Sequence, residues 1–162
     1  MAFAGALRAL NEMRGEGVIE EYAIAGAMAL VFWTEPVPTY DLDVLVFLPS
    51  APGSLVSLDG VYRWASECGY EARKEHILIE GVPTQFVPSP TSLADEAIRT
   101  AAQLDYEGVA TRVVVPEYLI ALYLEPGART PKRRERAAML LEWKGLNRER
   151  LDAILDEHGL AF

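Results

Sequence analysis

The chain has 162 residues, 51% hydrophobic and 24% charged, which is enough apolar content for one packed core and too much for a disordered tail. Its 24 acidic side chains against 15 basic ones give a net charge of −9, so at long range it repels nucleic acid, and any contact with a phosphate must rest on a local basic patch or a metal ion. Cys68 is the single cysteine, which excludes an internal disulfide and argues against a cysteine-based metal site; no apolar run nears the roughly 18 residues that cross a bilayer, and a reducing cytoplasm is the expected location.

In chain order, Phe3, Leu7, Leu10 and Met13 fall at helical spacing, and Gly15 and Gly17 end that helix. The segment is amphipathic and broken by charge, so it reads as a helix and not as a signal peptide. "VIEEYAIAG" reads as a strand ending at Gly26, and "AMALVFW" as a short buried helix. "TEPVPTY" is a proline-broken loop, and "DLDVLVFLP" a strand stopped by Pro49. Ser54 is the expected cap of a helix running to about Cys68, a small packed residue, with Gly69 ending it. "EARKEHILIEGVPTQFVPS" reads as two strands joined at Glu80-Gly81, and "PTSLADEAIRTAAQL" as a helix with an acidic first turn. "GVATRVVV" is a further strand, and Pro116 opens the helix "PEYLIALYL". After "EPGART", Thr130 and Pro131 suit the cap and first position of the helix "PKRRERAAMLLEWKG". A last helix runs from about Arg148 to His158 and ends at Gly159. Strands and helices mix in the first two thirds and helices fill the last, so the expected class is α/β (α+β): a small sheet with flanking helices and a C-terminal helical bundle. The expected boundaries are an α/β core over 1–115 and a helical segment packed on it over 116–162.

The informative feature is Asp41 and Asp43 at the head of the apolar strand. Side chains two apart share a face, so both carboxylates point one way while Leu42, Val44 and Val46 point the other, into a core. Two close carboxylates repel unless a cation sits between them, and Mg²⁺ takes one or two carboxylates together with phosphate oxygens. Metal-assisted phosphoryl or nucleotidyl transfer is the chemistry such a pair suits. The alternative is a solvated strand end. Context favours a site: Gly26 permits close backbone approach, and the helix after it offers free N–H groups to an anion.

With its glycine corner, alanine-bearing helix and Thr-x-Asp-Leu-Asp run, the sequence resembles the nucleotidyltransferase superfamily (polymerase-β-like fold) in its bacterial AbiEii-toxin-like branch. Gly26 and Ala27 match the turn, Ala29 the helix, and Thr39, Asp41 and Asp43 the acidic stretch. Downstream, "VVVPEYLIALYLEPGART" and "KRRERAAMLLE" are similar to the same branch, so the resemblance spans about residues 18 to 159. It implies a small mixed sheet of nucleotidyltransferase type, Mg²⁺ (or Mn²⁺) held by Asp41 and Asp43 as catalytic residues, and a nucleoside triphosphate as donor. The acceptor would be a hydroxyl on RNA, protein or a small molecule, and a toxin-like role implies a tRNA acceptor and an antitoxin partner. The pattern departs at five places: Gly26-Ala27 stands where Gly-Ser or Gly-Gly is more usual, Val37 and Pro38 where a loop arginine is usual, Gln85 where a third carboxylate is common, Tyr123 where a lysine often follows the Pro-Glu-x-Leu stretch, and Lys132-Arg133 where a Lys-Asp pair is common. An amide is no base at neutral pH, so a second reading stays open: a degenerate member that binds nucleotide or a protein partner without catalysis.

Arg129, Lys132, Arg133, Arg134 and Arg136 crowd one helix start, with Glu135 among them. Cations are mildly disfavoured there and an anion relieves them. Lys132 and Arg136 therefore join Gly26, Ala27 and Thr39 as candidate nucleotide-binding residues; the alternative is a solvated face paired with acids such as Glu125 and Glu142. His76 lies near Gln85 and reads as a base or as a partly exposed strand residue. His158 reads as a helix-end cation, Glu117 as first-turn charge, and Trp33, Trp64 and Trp143 as packing anchors.

Overall fold

The structure is a computed structural model describing residues 3–34, 39–50, 56–127 and 130–162. The expected cap at Ser54, the loop positions Val37 and Pro38, and Arg129 of the basic run lie outside the described residues.

The elements are α1 (Phe3–Gly15), β1 (Glu21–Ala25), α2 (Gly26–Trp33), β2 (Leu42–Phe47), α3 (Asp59–Glu67), β3 (Glu71–Arg73), β4 (His76–Ile79), β5 (Val82–Pro88), α4 (Ser92–Arg99), β6 (Ala102–Tyr106), β7 (Val109–Val113), α5 (Pro116–Tyr123), α6 (Pro131–Leu141) and α7 (Arg148–His158). The strands form one mixed sheet in the order β3-β4-β5-β2-β1-β7-β6. The expected α/β class with its C-terminal helices holds.

Three expectations are corrected. "TAAQL" is not the end of a helix: α4 stops at Arg99, and Ala102–Tyr106 pairs antiparallel with β7. Glu107 and Gly108 both take positive φ, which gives the tight hairpin that a right-twisted strand pair requires. The segment before Gly81 is two strands and not one, because Lys74 at φ 55° turns the chain between β3 and β4. Cys68 is also exposed rather than packed. The buried stripe of α3, Val61, Trp64 and Ala65, would reach Cys68 at helical spacing, but the helix ends at Glu67 and Gly69 turns away at φ +81°.

Each sheet face is covered by different helices. Leu42, Val44 and Val46 are fully buried, as their alternation predicts. They share a face with Tyr22 and Ile24 through the β1–β2 register, and Tyr22 Oη donates to Asn11 Oδ1 of α1 at 2.7 Å. The opposite face carries Asp43, Leu45 and, across the ladder, Gln85 and Val87. Helices α4 and α5 cover it, and Arg99 of α4 lies over the Phe47 ring at 5.3 Å.

The C-terminal helices are fixed by side-chain caps at both later starts. Thr130 Oγ1 accepts from Arg133 N at 3.1 Å and Asn147 Oδ1 from Arg150 N at 2.9 Å, each typically worth about 1 kcal/mol. Glu117 is in the first turn of α5 and is also buried, at 4% exposure. Its carboxylate accepts from Asn147 N at 3.3 Å and faces Arg150 at 3.7 Å, so it ties α5 to α7.

Candidate functional site

The sheet register decides what stands beside the acids. Antiparallel pairing of β1 with β2 sets Ala25 opposite Asp43, so Gly26, the next residue, turns directly over the Asp43 side chain. Parallel pairing of β2 with β5 sets Gln85 on the other side of Asp43. Continuing the β4–β5 register one step beyond Ile77–Thr84 brings His76 beside Gln85. Ala25, Asp43, Gln85 and His76 thus form one row across four strands.

Gly26 has φ +60°, where side chains are rarely tolerated, and a Cβ there would collide with Asp43 Oδ2. The glycine corner and the acid are therefore built around each other. Tyr123 Oη donates to the Gly26 carbonyl at 3.0 Å and pins the corner from α5. Burial pushes the Tyr123 hydroxyl up to about 12, so it stays a donor at neutral pH. Thr39 Oγ1 donates to the Asp41 carbonyl at 3.2 Å and fixes the approach to β2.

Asp43 is half-buried and Asp41 exposed. Burial first, and then the Asp41 carboxylate, push the Asp43 carboxyl above its ordinary range; Arg133, His76 and Arg136 pull it back less. Among the described residues neither carboxylate has an ion-pair partner within 4.0 Å. Such a pair gains from a hard cation, and two carboxylates in a glycine-cradled corner fit Mg²⁺ or Mn²⁺.

A cavity of about 270 Å³ gathers Ala27, Thr39, Tyr40, Asp41, Asp43, Lys132 and Arg136. All seven sequence-selected site residues therefore meet, Gly26 through its contact with Asp43. Lys132 and Arg136, one helical turn apart on α6, bring their charges to the acids from the other wall. Arg134 is exposed, and Arg133 lines a second cavity on the far side of Asp43. Sequence reasoning did not select Tyr40 or Glu125 for the site. Tyr40 is 68% exposed, and its sequence signal is its place next to Asp41; the place of Glu125 depends on how α5 docks and had none.

Elsewhere among the described residues, one cluster has three side chains of metal-ligating type: Glu96, Glu157 and His158. There His158 Nε2 lies 2.9 Å from Glu96 Oε2, and Tyr118 Oη donates to Glu96 Oε1 at 2.9 Å. A hollow of about 550 Å³ between Thr34 and Trp143 has, among the described residues, Glu142 and Lys144 as its charged lining. No described helix is long and apolar enough to cross a membrane.

Neither a family sequence profile nor a curated protein sequence matches this chain. Solved structures do. The crystal structure of ANT(2'')-Ia in complex with adenylyl-2''-tobramycin is similar at a TM-score of 0.58 and 15% identity, covering 97% of each chain. The solution structure of the same antibiotic-resistance factor gives 0.53 and 16%, over 94% of this chain and 88% of that one. An antigenic nucleotidyltransferase-like protein from Paracoccidioides brasiliensis gives 0.57 and 14%, over 94% and 85%. At such identities the likeness fixes the architecture and leaves the chemistry to the residues: the chain has a nucleotidyltransferase-type fold.

Proposed function

We propose that this protein is a metal-dependent nucleotidyltransferase that moves a nucleoside monophosphate from a nucleoside triphosphate to a hydroxyl. The observation that carries this reading is the single cavity in which Asp41 and Asp43 face Lys132 and Arg136 beside the start of α2. In this reading Asp41 and Asp43 hold Mg²⁺ or Mn²⁺, which when bound neutralises charge on the phosphates. Lys132 and Arg136 bind the β- and γ-phosphates, where their charge also stabilises the leaving pyrophosphate. The Gly26-Ala27 corner lets the triphosphate approach the backbone N–H groups of α2. Thr39 and Tyr123 hold the two halves of the corner in place. Residues 1–115 supply the sheet and acids, and residues 116–162 supply the cationic wall.

The likeness to the AbiEii-toxin-like branch supports an RNA or protein hydroxyl as acceptor and an antitoxin partner. The likeness to ANT(2'')-Ia, a protein solved with adenylyl-2''-tobramycin, supports a small hydroxylated molecule. A second reading has its own observation: Gln85 pairs with Asp43 in the sheet register, where a third carboxylate would otherwise take the acceptor's proton. Under it the protein binds nucleotide without transfer.

Thermal shift with Mg²⁺ and each of ATP, CTP, GTP and UTP, together with labelled transfer to total RNA and to small alcohols, separates these. Metal-dependent stabilisation with labelled product supports the enzyme. Stabilisation without product under any condition leaves the binding protein. No stabilisation by any Mg²⁺–nucleotide sinks both.

A further inference from the structure

The second cavity, about 310 Å³, meets the first at Asp43 and runs away from it along the sheet. Leu45 follows Asp43 by two residues on β2, Val87 follows Gln85 by two on β5, and the ladder pairs Leu45 with Val87. Residues two apart share a face, so the acid and the amide head a slot with an aliphatic floor. Leu119 and Leu122 of α5 form its roof. Among the described residues its charged groups besides Asp43 are Glu125 and Arg133, of opposite sign.

In-line transfer sets the attacking oxygen and the leaving pyrophosphate on opposite sides of the α-phosphorus. Lys132 and Arg136 stand on one side of Asp43, so the attacking oxygen has the aliphatic slot. We infer that the slot between the β2–β5 face and α5 is the acceptor subsite, and that the acceptor is a small alcohol with an apolar body rather than a nucleic-acid or protein chain. This rests on the nucleotidyl-transfer reading above. The alcohol oxygen forms a bond to the α-phosphorus, the bond from that phosphorus to the bridging oxygen breaks, and pyrophosphate leaves with the electron pair. The hydroxyl proton is released to water. The Gln85 carbonyl accepts from the hydroxyl and aligns it, and takes no proton.

Size and charge both favour this class of acceptor. The slot's volume falls at the lower end of the roughly 300–1,000 Å³ range of small-molecule pockets. A nucleic-acid strand needs a basic track for its phosphates, whereas among the described residues this cavity has one cation, Arg133, against Glu125 and Asp43, in a chain of net charge −9.

The test uses 2-phenylethanol as probe and glycerol as control, read by methyl NMR with and without Mg²⁺ and a non-hydrolysable ATP. The alcohol is expected to shift the methyl signals of Leu45, Val87, Leu119 and Leu122; glycerol should not, and the nucleotide should shift Ala27 and Thr39. Leu122→Trp fills the slot, with Val87→Trp as a second filling variant should the first fold poorly. Each should weaken alcohol binding by about tenfold or more while leaving nucleotide affinity within about twofold. Competition between alcohol and nucleotide, or equal loss of both in a folded variant, assigns the slot to the base and overturns this inference alone. A wild-type protein that binds no Mg²⁺–nucleotide overturns the parent reading and this one with it.

Discussion

Two acidic clusters in this molecule have opposite electrostatic states. At the start of β2, Asp41 and Asp43 share one face without an ion-pair partner among the described residues, and burial makes the charge on Asp43 costly. Between α4 and α7, Glu96 is bonded on both oxygens, by Tyr118 and by His158, at 2.9 Å each. The first cluster is held together by a glycine corner where any Cβ is strained and meets the Asp43 side chain. The second satisfies itself and fastens the C-terminal helices to the body. Proximity of acids alone therefore does not mark a ligand site; unmet charge, held in place by the fold, is the better sign.

The largest effect that would sharpen this contrast is on metal-dependent nucleotide affinity. Asp43→Asn or Asp41→Asn is expected to weaken Mg²⁺–nucleotide binding by about 100-fold, near the upper end of losses at metal sites, measured by calorimetry. Glu96→Gln should leave that affinity unchanged, and equal losses in both variants would break the comparison.

Gly26→Ala comes next. The left-handed backbone costs about 1–2 kcal/mol for a residue with a Cβ, and the collision with Asp43 adds to it. Thermal denaturation should show Tm lower by several degrees, at about 2–4 °C per kcal/mol, together with weakened nucleotide binding. Glu96→Gln is expected to lose about 1–2 kcal/mol of stability through its bonds to His158 and Tyr118.

The smallest effect is a pH dependence of the metal-free protein. The Asp43 carboxyl is raised in the folded state, so it contributes stability at low pH that is lost as pH rises through its folded value. At neutral pH Asp43→Asn should therefore raise Tm, and the gap should close on acidification below the ordinary aspartate range. Adding Mg²⁺ to the wild type should narrow the gap from the other side. A mutant less stable than wild type at neutral pH without metal would show that Asp43 is paid for inside the fold, as Glu96 is.

The sequence by itself determined the elements whose physics is local. Alternation in "DLDVLVF" set the strand and its buried face; Thr130 with Pro131, and Gly159 at φ +64°, fixed helix ends; and two acids two residues apart had to share a direction. Where local signals competed, it misled: "TAAQL" continues the helical pattern of α4, and only pairing with β7 makes it a strand. What the tertiary structure alone decided was which distant groups surround the acids. Strand order set Gly26 on one side of Asp43 and Gln85 on the other, and the docking of α5 and α6 brought Tyr123, Glu125, Lys132 and Arg136 to the same place. No local periodicity encodes those meetings, because they follow from sheet register and from helix packing between residues as far apart as Gly26 and Tyr123, 97 positions along the chain, where burying the shared core selects the arrangement.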